Sequence, residues 1–164
     1  MNKAEFKLQV AQFISEITNE DYADCSEWGK ARAREVEVFL TQPNEDINMA
    51  RIIASFESLM VRDYALGISV MNPEVATMQL NALLNACPVA LASAPASILA
   101  VLAYSAGNKD QARTYLDKAR QNYPLANLIK RVLLADWPTD SFPNMVRELH
   151  PRVSAILFGE LVVA

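Results

Sequence analysis

The stretch ASILAVLAYSAGNKDQARTYLDKARQNYP, residues 96–124, decides the fold class. Its first part, Ala96 to Ala106, is apolar on every side, which predicts a central helix and not an amphipathic surface one. Gly107-Asn108 turns the chain. From Asp110 to Tyr123, the side chains of Ala112, Leu116, Ala119 and Tyr123 fall along one face, so a second helix is expected, and Pro124 begins a third. Ala100, Ala112 and Ala119 leave room for two helices to cross closely, while Leu99 and Leu116 fill the gaps between them. The expectation is a helical hairpin over about 95–124.

The flanks carry the same period. Phe6, Val10, Phe13, Ile14 and Ile17 predict a first helix from about Lys3 to Thr18. Asp24 and Glu27 have the spacing of a capping box for a second, in which Trp28, Ala31, Val38 and Phe39 share a face. Glu45 and Asp46 supply acids to the start of the next, whose stripe is Met49, Ile52, Ile53, Phe56 and Met60. Ser58 is expected to recap a short helix that stops near Gly67. Asn72-Pro73-Glu74 is a strong helix start, and that helix runs to about Ala86. Beyond Pro124 the stripe is Leu125, Leu128, Ile129, Val132 and Leu133, closed by Trp137-Pro138. Two short helices, Pro143 to Leu149 and Arg152 to Phe158, complete an all-α chain: a single compact bundle of about seven to nine helices over residues 1–164, with no flexible linker.

Composition agrees with a folded domain. Of 164 residues 52% are hydrophobic and 21% charged, with net charge -4, which excludes low-complexity disorder. Residues 1–74 carry 7 basic and 13 acidic side chains, and residues 75–164 carry 8 and 6. An acidic chain lacks the strong basic field of a nucleic-acid binder. The richest basic stretch, Lys109 to Arg131, is interrupted by Asp110 and Asp117, which stand three residues from Arg113 and Arg120 and read as self-paired. No nucleic-acid partner is expected.

No charged residue occurs from Val75 through Asn108. A spanning helix needs about 20 mostly apolar residues in unbroken helix. Pro88 and Pro95 break this run, and Asn81, Asn85, Ser93 and Ser97 scatter polar groups through it, so two short buried helices are expected and no membrane partner. The N-terminal residues lack the layout of a secretion signal, and the two cysteines form no disulfide framework, which points to the cytoplasm.

The hairpin resembles a tetratricopeptide repeat (TPR). Leu99, Ala100, Gly107, Ala112, Leu116, Ala119 and Pro124 stand at the spacing of that family. Ala96 replaces the bulky aromatic expected early in the first helix, and Ala103 the usual tyrosine. A period of 34 residues does not recur, since stepping back from Gly107 and Ala112 lands on Pro73 and Met78. This is one embedded hairpin and not an array. More broadly, residues 53–160, with the runs Val61-Arg-Asp-Tyr-Ala-Leu66, Leu99 to Tyr104 and Leu116 to Ala119, are similar to an uncharacterised actinobacterial family, the domain of unknown function four-one-nine-two, as its C-terminal half. That resemblance implies a bacterial cytoplasmic protein and supplies no activity.

Chemistry-bearing residues are sparse. His150, the one histidine, reads as a surface or capping residue, because no nucleophile motif points to it. Cys87 reads as a buried small hydrophobe, and Cys25 lies among Asp21, Asp24 and Glu27, which disfavour a thiolate. No phosphate loop, calcium loop or metal-ligand spacing occurs, so no catalytic residue, cofactor or metal is expected. Met49, Met60 and Met78 read as core filler.

A protein-interaction or scaffold module without catalytic activity is therefore the leading reading. Its partner is a protein or peptide, or a second copy of the chain, since the all-round apolar helix at Ala96 to Ala106 favours a homodimer if one domain leaves it uncovered. The TPR resemblance implies a concave binding face at Ser97, Val101 and Tyr104, unless other helices fill that groove and make the three residues core. The alternatives are a helical accessory part of an enzyme whose catalytic groups lie in a missing domain, and a weak nucleic-acid-associated regulator acting through Lys109 to Arg131.

Overall fold

Nine α-helices, and no strand, occupy the described residues, 2–43 and 46–159, of the computed structural model. They are α1 (Lys3–Ser15), α2 (Glu27–Thr41), α3 (Met49–Ser55), α4 (Leu59–Met71), α5 (Pro73–Ala86), α6 (Ser93–Ser105), α7 (Lys109–Leu116), α8 (Pro124–Leu134) and α9 (Ser141–Phe158), with short 3-10 turns at Asn19–Tyr22 and Val89–Leu91. Local chemistry starts most of them. The side chains of Asn2, Ser26, Asn48, Ser58 and Asn108 each accept a hydrogen bond from the backbone N–H three residues on, satisfying a donor that the first helical turn leaves unpaired. Pro73 and Pro124 open α5 and α8, where a missing N–H costs nothing.

Several boundaries differ from the sequence expectation, each for a physical reason. The cap of α2 is Ser26 and not Asp24, because Cys25 between them is held at a φ of 60°, outside helical space. Glu45 lies outside the described residues. Ser58 caps α4 as expected, but α4 continues through Gly67 to Met71. On the far side of the hairpin, α7 ends at Leu116 instead of Tyr123. There Lys118 and Ala119 donate to carbonyls only three residues back, the Arg120 N–H is taken by Ser93 Oγ at 2.9 Å, and Asn122 turns to a φ of 65°. Arg113 does pair with Asp110 at 3.0 Å, whereas Arg120 stacks on the Tyr123 ring, 5.1 Å from its centroid. The two short helices expected after Phe142 are one helix, α9, with Pro151 inside it. Pro151 removes one backbone donor, and packing of the helix on both sides of it outweighs that loss.

The core is organised around α6 and α4. Ser93 through Leu102 and Tyr104 of α6 are buried, covered by α5, α7 and α8 with further contacts from α4 and α9. Gly107 adopts a φ of 83° and reverses the chain into α7, the partner against which α6 packs most extensively. The apolar surface of the Ala96–Ala106 helix, which motivated a homodimer, is thus covered within one chain. On its other side α4 packs against α2 and α9. Buried side chains from α1 through α9 join in one connected cluster. Met49 and Met60 pack against it, while Met78 faces outward.

Candidate functional site

Ser97, Val101 and Tyr104 do not form an open face. All three are buried, Tyr104 to 1% exposure, and the Tyr104 hydroxyl donates to the backbone carbonyl of Trp137. These residues are core because α6 is packed on by α5, α7, α8, α4 and α9, and the Tyr104 hydroxyl is tied to the Trp137 connection.

An opening appears elsewhere, between α4, α8 and α9. There a cavity of about 280 Å3 is lined by Arg62, Asp63 and Leu66 from α4, by Leu125 and Leu128 from α8, and by one seam of α9. That seam is Phe142, Val146, Leu149, His150 and Val153, the helical spacing that keeps these side chains on one side. Leu128 and Leu149 stand at the cavity while remaining 40% and 48% exposed.

The polar groups are few and specifically held. Arg62 is a charged side chain with only 9% exposure. Its Nε and Nη2 donate to one oxygen of its neighbour, Asp63 Oδ1, at 3.0 and 2.7 Å, and its Nη1 reaches the Tyr123 hydroxyl at 3.4 Å. The guanidinium also lies 5.6 Å from the centroid of the Tyr123 ring. Burial works against its charge, but the Tyr123 hydroxyl and the Asp63 carboxylate together outweigh that and hold its pKa above the ordinary value. His150 lines the same cavity from α9, its ring 5.1 Å from that of Tyr64. Its Nδ1 is buried without a hydrogen-bond partner. Burial lowers its pKa, opposed by the Glu37 carboxylate, so the neutral imidazole is favoured. Tyr64 donates to that same carboxylate, at Glu37 Oε2, over 2.9 Å, and burial followed by the charge of Glu37 raises its own pKa well above the usual phenol range.

Among the described residues, no hydroxyl or thiol side chain lines the cavity beside His150 or Asp63. Cys87, at the end of α5, is well removed in chemistry too: burial pushes its thiol up to about 12. Cys25 is exposed, and its Sγ donates to the Ile156 carbonyl at 3.3 Å. Among the described residues no helix is long and apolar enough to cross a membrane.

The family model described as Domain of unknown function (DUF4192) matches residues 5–138. The chain belongs to this family. No curated protein and no solved structure matches it. The DUF4192 match begins near the start of α1, well before residue 53 where the resemblance in the sequence began, and it includes Arg62, Asp63 and most of the walls given by α4 and α8. The α9 wall falls beyond it.

Sequence reading passed over Arg62 and Asp63 as site residues. A signal was present: they are the only charged residues in α4, a mostly apolar helix of 13 residues. A charge that such a helix carries into its buried face is rare unless it is paired or used. His150 was noticed, but its place beside Gly67 and Tyr64 depends on contacts that spacing along the chain does not reveal.

Proposed function

We propose that this DUF4192 member is a cytoplasmic protein-interaction module, without catalytic activity of its own, that seats an apolar group of a partner protein between α4, α8 and α9. The observation that carries the reading is the cleft rimmed by exposed Leu128 and Leu149. An apolar side chain entering it covers the part of both leucines that is still exposed, which contributes roughly half of the ~1.5–3 kcal/mol gained by burying a whole leucine. The face differs from the one that the TPR resemblance implies, since Ser97, Val101 and Tyr104 are occupied as core.

The test is partner capture by the full chain, compared with Leu128→Asp and Leu149→Asp. Both positions are exposed, so the variants are expected to keep their melting temperature while losing the captured partner. Full retention of the partner by both variants would place the interface elsewhere.

A further inference from the structure

We infer that the group this cleft takes is the C-terminal residue of a partner chain, with its free carboxylate on Arg62 and its apolar side chain between the helices. The inference rests on the reading of the cleft as a protein-docking site and names what docks.

The reasoning starts from the donors of Arg62. A guanidinium has five N–H groups in a planar fork. Nε and Nη2 each spend one on Asp63 Oδ1, and Nη1 spends one on Tyr123 at 3.4 Å, which is long for a hydrogen bond. One N–H therefore remains on each of Nη1 and Nη2, so the guanidinium keeps two donors beyond its present partners for an incoming carboxylate. These donors belong to a side chain with 9% exposure that lines the cavity, where unmet hydrogen-bonding capacity is costly.

Asp63 complements this. Both of its hydrogen bonds fall on Oδ1, and the side chain is 38% exposed, which leaves Oδ2 as an acceptor. A C-terminal residue carries a carboxylate, an amide N–H and a side chain on one Cα. The carboxylate meets Arg62, the N–H meets Asp63, and an apolar side chain meets Leu66, Leu125, Phe142 and Val146. A segment from the middle of a chain would instead bring two unsatisfied peptide groups against apolar walls for every side chain inserted. A hollow of about 280 Å3 has room for one such residue.

The experiment uses the whole chain and short probes: N-acetyl-Ala-Leu and N-acetyl-Ala-Phe, each as free acid and as C-terminal amide, with free leucine as a further arm. Binding is followed to millimolar concentration by amide chemical shifts. The free acids are expected to bind saturably, shifting residues of α4, α8 and α9, with the amides weaker by about tenfold or more. In Arg62→Lys, which keeps the charge but loses the fork, the acids fall toward the amides, while Leu128→Asp weakens both forms and keeps the fold intact. Equal binding of acid and amide in the cleft would overturn the carboxylate assignment and leave the docking site standing. Tighter binding of free leucine than of the blocked acids would replace the partner chain by a free amino acid. Absence of saturable binding by every probe, or shifts confined to another face, would overturn the inference and the docking cleft together.

Discussion

Gly67 on α4 lies so close to His150 on α9 that a Cβ at position 67 would stand 2.1 Å from His150 Nδ1 and 2.8 Å from its Cγ. The glycine expected to stop α4 is therefore mid-helix, and its service is to let α9 approach. Its conformational cost inside a helix, about 0.5–1 kcal/mol relative to alanine, is offset by the packing of the two helices. Tyr64 and Phe158 close the same contact, their rings 5.6 Å apart and edge to face.

Gly67→Ala is expected to destabilise the fold by about 1–3 kcal/mol through overpacking, although alanine is the better helix former. On a His150→Ala background the same substitution should cost far less. A urea-denaturation double-mutant cycle measures that coupling; additivity within error would show that the two residues do not oppose each other.

The pH response of stability follows from His150. Burial holds its folded pKa below the ordinary 6.5, against the pull of Glu37. Between the two values the unfolded chain binds the extra proton, so stability rises with pH across that window and is lost as pH falls below about 6.5. The urea midpoint should fall between about pH 7 and about pH 5 by more in the wild type than in His150→Gln. Parallel profiles for the two proteins would remove His150 as the cause.

Tyr104 tests the burial of the α6 inner face. Tyr104→Phe loses only the hydroxyl bond to the Trp137 carbonyl, about 0.5–1.5 kcal/mol, whereas Tyr104→Ala also opens a cavity and should cost about 3–5 kcal/mol. Thermal melts separate the two. An alanine variant as stable as wild type would return Tyr104 to the surface.

The cysteines should differ in alkylation. With its thiol pushed up to about 12, Cys87 presents almost no thiolate near neutral pH, while Cys25 is exposed. Mass spectrometry after brief iodoacetamide treatment should find the label on Cys25, with Cys87 modified only once the chain is unfolded.

Much of the secondary structure was legible because its causes are local. Ser58, Pro73 and Pro124 mark helix starts wherever the rest of the chain goes, since a cap or a proline acts on donors within one turn. The apolar circumference of Ala96 to Ala106 likewise required a central helix. Expectations failed where a local signal met a tertiary one, as at Gly67, where α4 runs on beneath α9. Pro151 reads as a break, yet α9 passes through it because its flanks pack on α4. The Asp110–Tyr123 period reads as one helix, yet Ser93 captures the Arg120 N–H and ends it early.

By itself, then, the sequence determined the helices, most of their starts and which stripes must be buried, because caps, prolines and hydrophobic period act over a few residues. Tertiary structure alone decided which face stays open. Tyr104 is core because Trp137, 33 residues away, lies over it, and Arg62 faces a hollow because Leu128 and Leu149 come to stand beside it. Those contacts join residues far apart in the chain, and no period or motif along the chain encodes their meeting.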